Sequence, residues 1–150
     1  MGARVEPTSG AVVGHEHHLP VRVYYEDTDF SGVVYHANYL RFFERGRTDS
    51  LRMAGIHHTE LLEDEAVFVV RRMEIDYLRP AKVDDALLVR SRFVSMKGAR
   101  MIIEQAIDRD GVTLATARVE AALIGLDGRP RRFKGAILER LSAFLAVSTP

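Results

Sequence analysis

Apolar and polar positions change their period along the chain, and these changes predict an order of elements. Over residues 19–25 apolar and polar side chains alternate as in a strand, and residues 26–32 are rich in turn formers. A helical period follows over residues 39–54. Asn38 is the predicted N-cap of this helix, and Gly55 is the predicted glycine just beyond its end.

The second half of the chain is predicted to consist mainly of strands. After a short helix or loop, strands are expected over residues 66–77, 86–95, 100–107 and 112–124. Asp110-Gly111 is a strong signal for a two-residue hairpin, and a closing helix is predicted over residues 135–147. Strands segregated from helices predict an α+β fold, with an antiparallel five-stranded sheet packed on one long helix.

The chain is predicted to contain a flexible tail, residues 1–18, and a single domain, residues 19–150. The tail holds His15, His17 and His18, which indicate either a metal-binding tract or a polar leader. The polar leader is favoured, because a flexible segment does not fix the geometry of metal ligands.

Composition excludes several classes of protein. The chain has no cysteine, which rules out a disulfide scaffold, a thiol nucleophile and cysteine-based metal sites. Its 21 basic and 21 acidic residues balance, whereas a nucleic-acid binder usually carries a basic excess. No apolar run approaches the roughly 20 residues of a membrane span, and no signal-peptide pattern is visible. We therefore expect a cytoplasmic protein without nucleic-acid partners.

The densest chemical information lies in residues 24–38, YYEDTDFSGVVYHAN. Glu26, Asp27 and Asp29 precede a tight bend and the start of the long helix. One interpretation is structural, since acidic residues and glycine form turns and favour a helix N-terminus. The other is catalytic, because a helix start offers unpaired N–H groups for an oxyanion, and a nearby carboxylate serves as general base or nucleophile. That combination suits the hydrolysis of an acyl group.

The stretch from residue 21 to 51, VRVYYEDTDFSGVVYHANYLRFFERGRTDSL, resembles hotdog-fold acyl-CoA thioesterases of the 4-hydroxybenzoyl-CoA type. It is most similar to the branch associated with the bacterial Tol-Pal system, and the likeness extends to about residue 133. The resemblance implies a sheet wrapped around one central helix and hydrolysis of an acyl-CoA or acyl carrier protein thioester. It also implies homodimers or homotetramers with active sites at the subunit interface. No metal or cofactor is implied, since coenzyme A is part of the substrate.

The resemblance assigns roles to individual residues. Asp29 matches the catalytic carboxylate, as general base or as nucleophile. The backbone N–H of His36 matches the oxyanion donor, and the His36 side chain is implied to assist catalysis. Tyr25, four residues before Asp29, is a candidate for orienting it. Glu44, on the predicted helix, is the alternative acid, because some hotdog enzymes carry their carboxylate there.

Basic side chains are candidates for binding the phosphates of coenzyme A, because guanidinium groups bind phosphate well. The candidates are Arg71, Arg72, Lys97 and Arg131. The alternative for each is a solvated surface position. The sequence contains neither a glycine-rich phosphate loop nor the nucleophile elbow of serine-dependent thioesterases.

Two other functions compete with hydrolysis. A hotdog hydratase or dehydratase would also bind acyl thioesters, but such enzymes pair a histidine with an acid on the central helix in a different local pattern. The second alternative is a non-catalytic acyl-CoA sensor or an assembly partner of envelope machinery. Asp29 argues against pure binding, since an anionic ligand needs no carboxylate beside it. The identity of the acyl group stays open.

Overall fold

The computed structural model describes residues 2–144, which form a six-stranded antiparallel sheet packed against one long helix. The strands are β1 (Ala11–Val13), β2 (Glu16–Arg22), β3 (Ala66–Tyr77), β4 (Ala86–Lys97), β5 (Arg100–Arg109) and β6 (Val112–Gly125). The helices are α1 (Asn38–Met53), α2 (His58–Glu63) and α3 (Gly135–Phe144). A single 3-10 turn, Tyr25–Asp27, follows β2.

The strands lie in the order β1-β2-β4-β5-β6-β3, so β1 and β3 form the two edges of the sheet. The predicted hairpin between β5 and β6 is confirmed: Asp110 and Gly111 have φ angles of 52° and 78°, as a type I′ turn requires. The long strands β4, β5 and β6, which are joined by hairpins, thus lie inside the sheet, and the 12-residue β3 forms one edge.

Alternation along the central strands gives the sheet two different faces. Phe93, Ile103 and Val119 point toward α1 and are buried with Phe42 and Phe43 of that helix. The opposite face carries ion pairs, in which the guanidinium groups of two arginines contact one glutamate across the strands, namely Arg92, Arg118 and Glu104. One face of the sheet therefore forms the core, and the other is polar.

Gly46 lets α1 lie close to the sheet. A Cβ atom at this position would stand 2.7 Å from Cγ1 of Val89 and 3.0 Å from the hydroxyl of Ser91. α1 crosses β4 at Gly46, because a larger side chain at this position would collide with the side chains of β4.

The two ends of α1 differ in how well the sequence predicted them. Gly55 has a φ of 81°, and its N–H donates to Arg52 while that of Ile56 donates to Leu51. This is the expected glycine-terminated helix end. The predicted N-cap was wrong: Ala37 occupies that position without a side-chain cap, and Asn38 is the first helical residue. Its side chain is buried and serves the neighbouring loop instead.

The sheet has six strands, where five were predicted, because the N-terminal hairpin was missed. Residues 11–18 belong to β1 and β2, with the turn between them, so the predicted tail over residues 1–18 is wrong in that part. The three residues of β1 are all exposed. They show no alternation of apolar and polar side chains, and sequence periodicity therefore carried no signal for this strand.

His17 anchors this hairpin to α1. Its ring is fully buried, and Nε2 lies 2.6 Å from Oδ2 of Asp49, which also accepts the N–H of Gly10 at 2.9 Å. Burial lowers the pKa of His17, and the contact with Asp49 opposes that shift. Within residues 2–144 no group of three or more metal-ligating side chains is found. His17 is thus part of the core contacts, which neither interpretation of the histidine cluster anticipated.

The remaining elements follow the predicted pattern closely. β3 covers the predicted residues, and β4 and β5 each extend two residues further than expected. The closing helix begins at the predicted residue, and its expected continuation over residues 145–147 lies outside the described part of the chain. None of the helices described here is long and apolar enough to cross a membrane.

Candidate active site

A small loop between the 3-10 turn and α1 brings the predicted site residues together. Thr28 and Val34 form an antiparallel bridge, and the N–H of Asp29 donates to the carbonyl of Val33 at 2.9 Å. The chain therefore folds back on itself over residues 29–33. Asp29 lies at the start of this loop, and His36 follows it directly before α1.

The carboxylate of Asp29 is held by Ser31. Its Oδ1 accepts the backbone N–H of Ser31 at 2.8 Å and the Ser31 hydroxyl at 2.5 Å. These hydrogen bonds, the hydroxyl first, lower the pKa of Asp29 below its ordinary value, and the backbone of Val33 adds a smaller effect in the same direction. No donor of residues 2–144 forms a hydrogen bond of normal length to Oδ2. Asp29 is thus an oriented, ionised carboxylate with one oxygen left for a substrate or a water molecule.

The neighbouring Asp27 has a different role. It is buried, and its Oδ2 accepts the N–H of Tyr24 while its Oδ1 accepts the Asn38 amide, each at 2.8 Å. Its backbone carbonyl also accepts the N–H of Tyr35 at 3.0 Å. Asp27 therefore binds the loop to the first residue of α1. Of the two aspartates in the Asp-Thr-Asp motif, this one is fully used by the protein.

The start of α1 presents unused backbone donors. The N–H groups of His36 and Ala37 donate no hydrogen bond to any residue in the described range 2–144. The position of His36 is fixed by Tyr77 at the end of β3, whose hydroxyl donates to the His36 carbonyl at 2.8 Å. A helix N-terminus also carries a partial positive charge. These two groups form a site able to bind an oxyanion.

A cavity of about 270 Å³ borders this helix start and includes His36, Tyr39, Tyr77 and Pro80 in its lining. The exposed His36 ring lies 4.5 Å from that of Tyr35 and 6.4 Å from that of Tyr77, measured between centroids. The hydroxyl of Tyr39 accepts the N–H of Ala81 at 3.0 Å. Aromatic side chains thus hold the helix start against the end of β3.

Tyr25 lies in the 3-10 turn rather than in a strand, and its ring is 85% exposed. Within the described residues it makes no hydrogen bond to Asp29; its carbonyl accepts Thr28 instead. The side chain that orients Asp29 in this structure is that of Ser31. The sequence offered a signal for this turn, because an aspartate side chain commonly accepts the backbone N–H two residues further on.

The four candidates for binding coenzyme A are not equally available. Arg71 lies 3.8 Å from Glu120, Arg72 forms a 2.5 Å ion pair with Glu74, and Arg131 donates to the carbonyl of Asp64 at 2.9 Å. Lys97, at the hairpin between β4 and β5, forms no ion pair with any residue from 2 to 144. Lys97 is therefore the candidate whose charge is uncompensated.

Glu44 is exposed on the second turn of α1. It follows His36 by eight residues, which corresponds to about 12 Å along a helix axis. In a single chain Glu44 is therefore distant from the loop over residues 29–33, which carries the Asp29 carboxylate. It lines a second cavity between the helix and the sheet.

Known proteins share this fold and this stretch of sequence. The model of the thioesterase-like superfamily matches residues 23–141. An acyl-CoA thioesterase YbgC of Haemophilus influenzae is 48% identical over 109 residues, which is 72% of this chain and 80% of that protein. A crystal structure of a probable thioesterase from Bartonella henselae is 50% identical, with a TM-score of 0.76 over 79% of this chain and 99% of that one.

A third similar protein was crystallised with a ligand. It is a thioesterase from Thermus thermophilus complexed with coenzyme A and Zn, 31% identical with a TM-score of 0.72, over 85% of this chain and 92% of that one. The chain described here belongs to the thioesterase-like superfamily. The predicted hotdog fold and the predicted class of enzyme, a thioester hydrolase, are confirmed.

Proposed function

We propose that this chain hydrolyses acyl-CoA thioesters to a free acid and coenzyme A, with Asp29 and the start of α1 as its catalytic site. The observation that carries the proposal is one loop that holds both an ionised carboxylate with a free oxygen and unused N–H groups at a helix start. The YbgC relatives are named as acyl-CoA thioesterases or acyl-CoA thioester hydrolases, which supports the choice of substrate.

In the proposed mechanism the N–H of His36 binds the thioester carbonyl oxygen and stabilises its negative charge. Asp29 either removes a proton from an attacking water or attacks the carbonyl carbon itself. In the first case the tetrahedral intermediate collapses, the C–S bond breaks, and the thiolate leaves with a proton. In the second case the C–S bond breaks and the thiolate leaves as a mixed anhydride with Asp29 forms, and water then cleaves the anhydride to the free acid and the Asp29 carboxylate. An oxyanion donor of this kind contributes about 10²–10³ in rate.

The side chains of His36 and Tyr25 belong to the proposal as assisting groups. Both rings are exposed, so both are free to meet a substrate. Lys97 is our first candidate for a coenzyme A phosphate, followed by Arg131, Arg71 and Arg72, which would have to exchange an acceptor of the protein for the phosphate. Water is the only second substrate in this scheme, which requires no metal or redox cofactor.

We further propose that the protein is a homo-oligomer, a dimer or a tetramer. β3 is a long strand at the edge of the sheet, and its outer edge has no partner strand among residues 2–144. Such edges are usually covered, and a second copy of the same strand covers this one with backbone hydrogen bonds. An acyl carrier protein as acyl donor, a link to the Tol-Pal system and a cytoplasmic location complete the proposal.

The test is thiol release from a panel of acyl-CoA esters, measured for the wild type, Asp29→Asn and Asp110→Asn. The chain has no cysteine, so a thiol reagent gives no background from the protein. Asp110 is the matched control, because it is an exposed carboxylate in a hairpin turn outside the loop and the helix start, where asparagine also fits.

We expect the wild type and Asp110→Asn to release coenzyme A at similar rates and Asp29→Asn to lose most of that rate while remaining folded. Full activity of Asp29→Asn would assign the chemistry to another residue, and Glu44 is then the next one to change. If no ester is cleaved, the hydrolytic proposal fails for coenzyme A, and acyl carrier protein thioesters become the next substrates.

A further inference from the structure

A second cavity lies between α1 and the sheet, with a volume of about 390 Å³. We call it the helix–sheet cavity. Most of its wall is apolar and includes Leu51, Phe68, Phe93, Met101 and Ile103. Voids in a close-packed protein core are rarely larger than a water molecule, whereas pockets for small ligands begin at about 300 Å³. The size and lining therefore fit an organic group rather than a packing defect.

Arg47 lies in the helix wall of this cavity and is only partly exposed. Its Nη1 donates to Oε1 of Gln105 at 2.9 Å, a neutral partner. No carboxylate of residues 2–144 lies within 4.0 Å of its guanidinium group, whereas Arg90 forms ion pairs with two. Burial lowers the pKa of Arg47, and the charge of Glu44 opposes that shift. A guanidinium group has five N–H donors, so Arg47 retains donors for an oxygen acceptor in the cavity.

The helix–sheet cavity and the loop over residues 29–33, which carries Asp29, are far apart in one chain. Arg47 follows His36 by 11 residues, or about 16 Å along the helix axis. Pairing of β3 with the β3 of a second copy would bring the two sites together. A two-fold axis places each end of one β3 beside the opposite end of the other β3. Phe68, near one end of β3, lines the helix–sheet cavity, and Tyr77, at the other end, binds the carbonyl of His36. The cavity of one copy then lies next to the helix start of the other.

We propose that Arg47 selects acyl groups that carry an oxygen acceptor beyond the thioester carbonyl, when the acyl group of a thioester bound at the His36 of a second copy enters the helix–sheet cavity. This inference rests on the proposed hydrolysis of acyl-CoA. The apolar wall binds the carbon chain, and the guanidinium group binds the oxygen. A methyl-terminated chain leaves the donors of Arg47 without a partner in a desolvated site, which disfavours its binding.

The test compares matched acyl-CoA esters of four, six and eight carbons that end in a methyl, a hydroxyl or a carboxylate group. For each length, the ratio of kcat/KM for the oxygen-tipped ester to that for the methyl-tipped ester is measured in the wild type, Arg47→Leu, Arg47→Lys and Arg52→Leu. Arg52 is the matched control: it is exposed on the same helix and does not line the cavity. A ratio within one variant does not depend on the fraction of that variant that is folded.

We expect a wild-type ratio above one for at least one length. We expect Arg47→Leu to lower it by about 10- to 100-fold, the effect of losing one charge-assisted hydrogen bond. Arg47→Lys should give an intermediate ratio, and Arg52→Leu should keep that of the wild type. The hydroxyl and carboxylate series distinguish a neutral acceptor from an anionic one. Hydrolysis with a ratio that Arg47→Leu leaves unchanged overturns this inference and leaves the proposed function intact.

Binding separates the two proposals further. The Kd values of the same ester pairs are measured by calorimetry in the Asp29→Asn protein, with and without Arg47→Leu, so that no turnover is needed. If no ester is hydrolysed by the wild type but Arg47→Leu still removes the preference in Kd, the catalytic proposal fails and the selectivity of the cavity stands. Equal Kd ratios in the two proteins overturn the role of Arg47 whether or not the wild type is active.

Discussion

The contact between Asp27 and Asn38 should determine whether the loop that carries Asp29 stays attached to the start of α1. The two residues are 6% and 7% exposed, and the amide donates to the carboxylate at 2.8 Å. Asn38→Ala leaves Oδ1 of Asp27 buried without a donor, which costs about 1.5–3 kcal/mol for a hydrogen bond to a carboxylate. For a chain of 150 residues a loss near 2 kcal/mol lowers Tm by about 4–8 °C.

The assay is a double-mutant cycle of Asp27→Ala, Asn38→Ala and the combined variant, with the free energy of unfolding taken from denaturant titrations. Arg72 and Glu74 form the control pair, since their ion pair is mostly exposed and should couple by less than about 1 kcal/mol. We expect a coupling energy of about 1.5–3 kcal/mol for Asp27 and Asn38.

Activity should fall together with stability in Asn38→Ala, because the loop that carries Asp29 loses its connection to α1. A displacement of about 1 Å can cost as much as 10²-fold in rate, so a drop of at least about tenfold in kcat/KM is expected. Additive effects of the two substitutions, within about 0.5 kcal/mol, would show that the contact does not hold the loop. Unchanged activity despite a lower Tm would contradict the positioning role alone.

Three further substitutions test other parts of the structure. Gly46→Ala should lower the free energy of unfolding by about 1–3 kcal/mol, because its Cβ would collide with Val89; an effect below about 0.5 kcal/mol in denaturant titrations would contradict this packing. Burial lowers the pKa of His17. The contribution of His17 to stability is therefore present above pH 6.5 and is lost as the pH falls through the lower pKa of the folded state. The Tm of His17→Gln should accordingly vary less between pH 7.5 and 5 than the Tm of the wild type. Ser31→Ala should raise the pKa of Asp29 and move the acid limb of the kcat/KM profile to higher pH; an unmoved limb would show that another group titrates there.

The sequence predicted most of the fold because its periods are regular where the strands and the long helix are two-sided. The N-terminal hairpin escaped because β1 has no buried side chain, so no alternation marks it. His17 escaped for a related reason. Its partner Asp49 lies 32 residues away, and a histidine in a polar stretch gives no local sign that a helix will cover it.

The candidate site was predicted in its residues more fully than in its contacts. The motif located Asp29 and His36 in one loop, but propensity alone made Asn38 a cap. Its side chain instead turns to Asp27, because a buried carboxylate offers it a stronger hydrogen bond than a helix end. Likewise the exposed ring of Tyr25 is not what orients Asp29; the hydroxyl of Ser31 is, two residues away. Such choices between nearby partners depend on burial, which a sequence does not display.

The Asp-Thr-Asp motif illustrates how one loop separates stability from reactivity. Asp27 and Asp29 have the same chemistry and lie two residues apart, but Asp27 ends the 3-10 turn and Asp29 begins the next loop, so their side chains have different surroundings. Asp27 is buried and both of its oxygens accept donors of the protein, so it holds the loop and has nothing left for a substrate. Asp29 is held through one oxygen only, which fixes its direction while the other stays open. A single carboxylate could not do both, because the donors that anchor it would occupy the oxygens that the reaction requires.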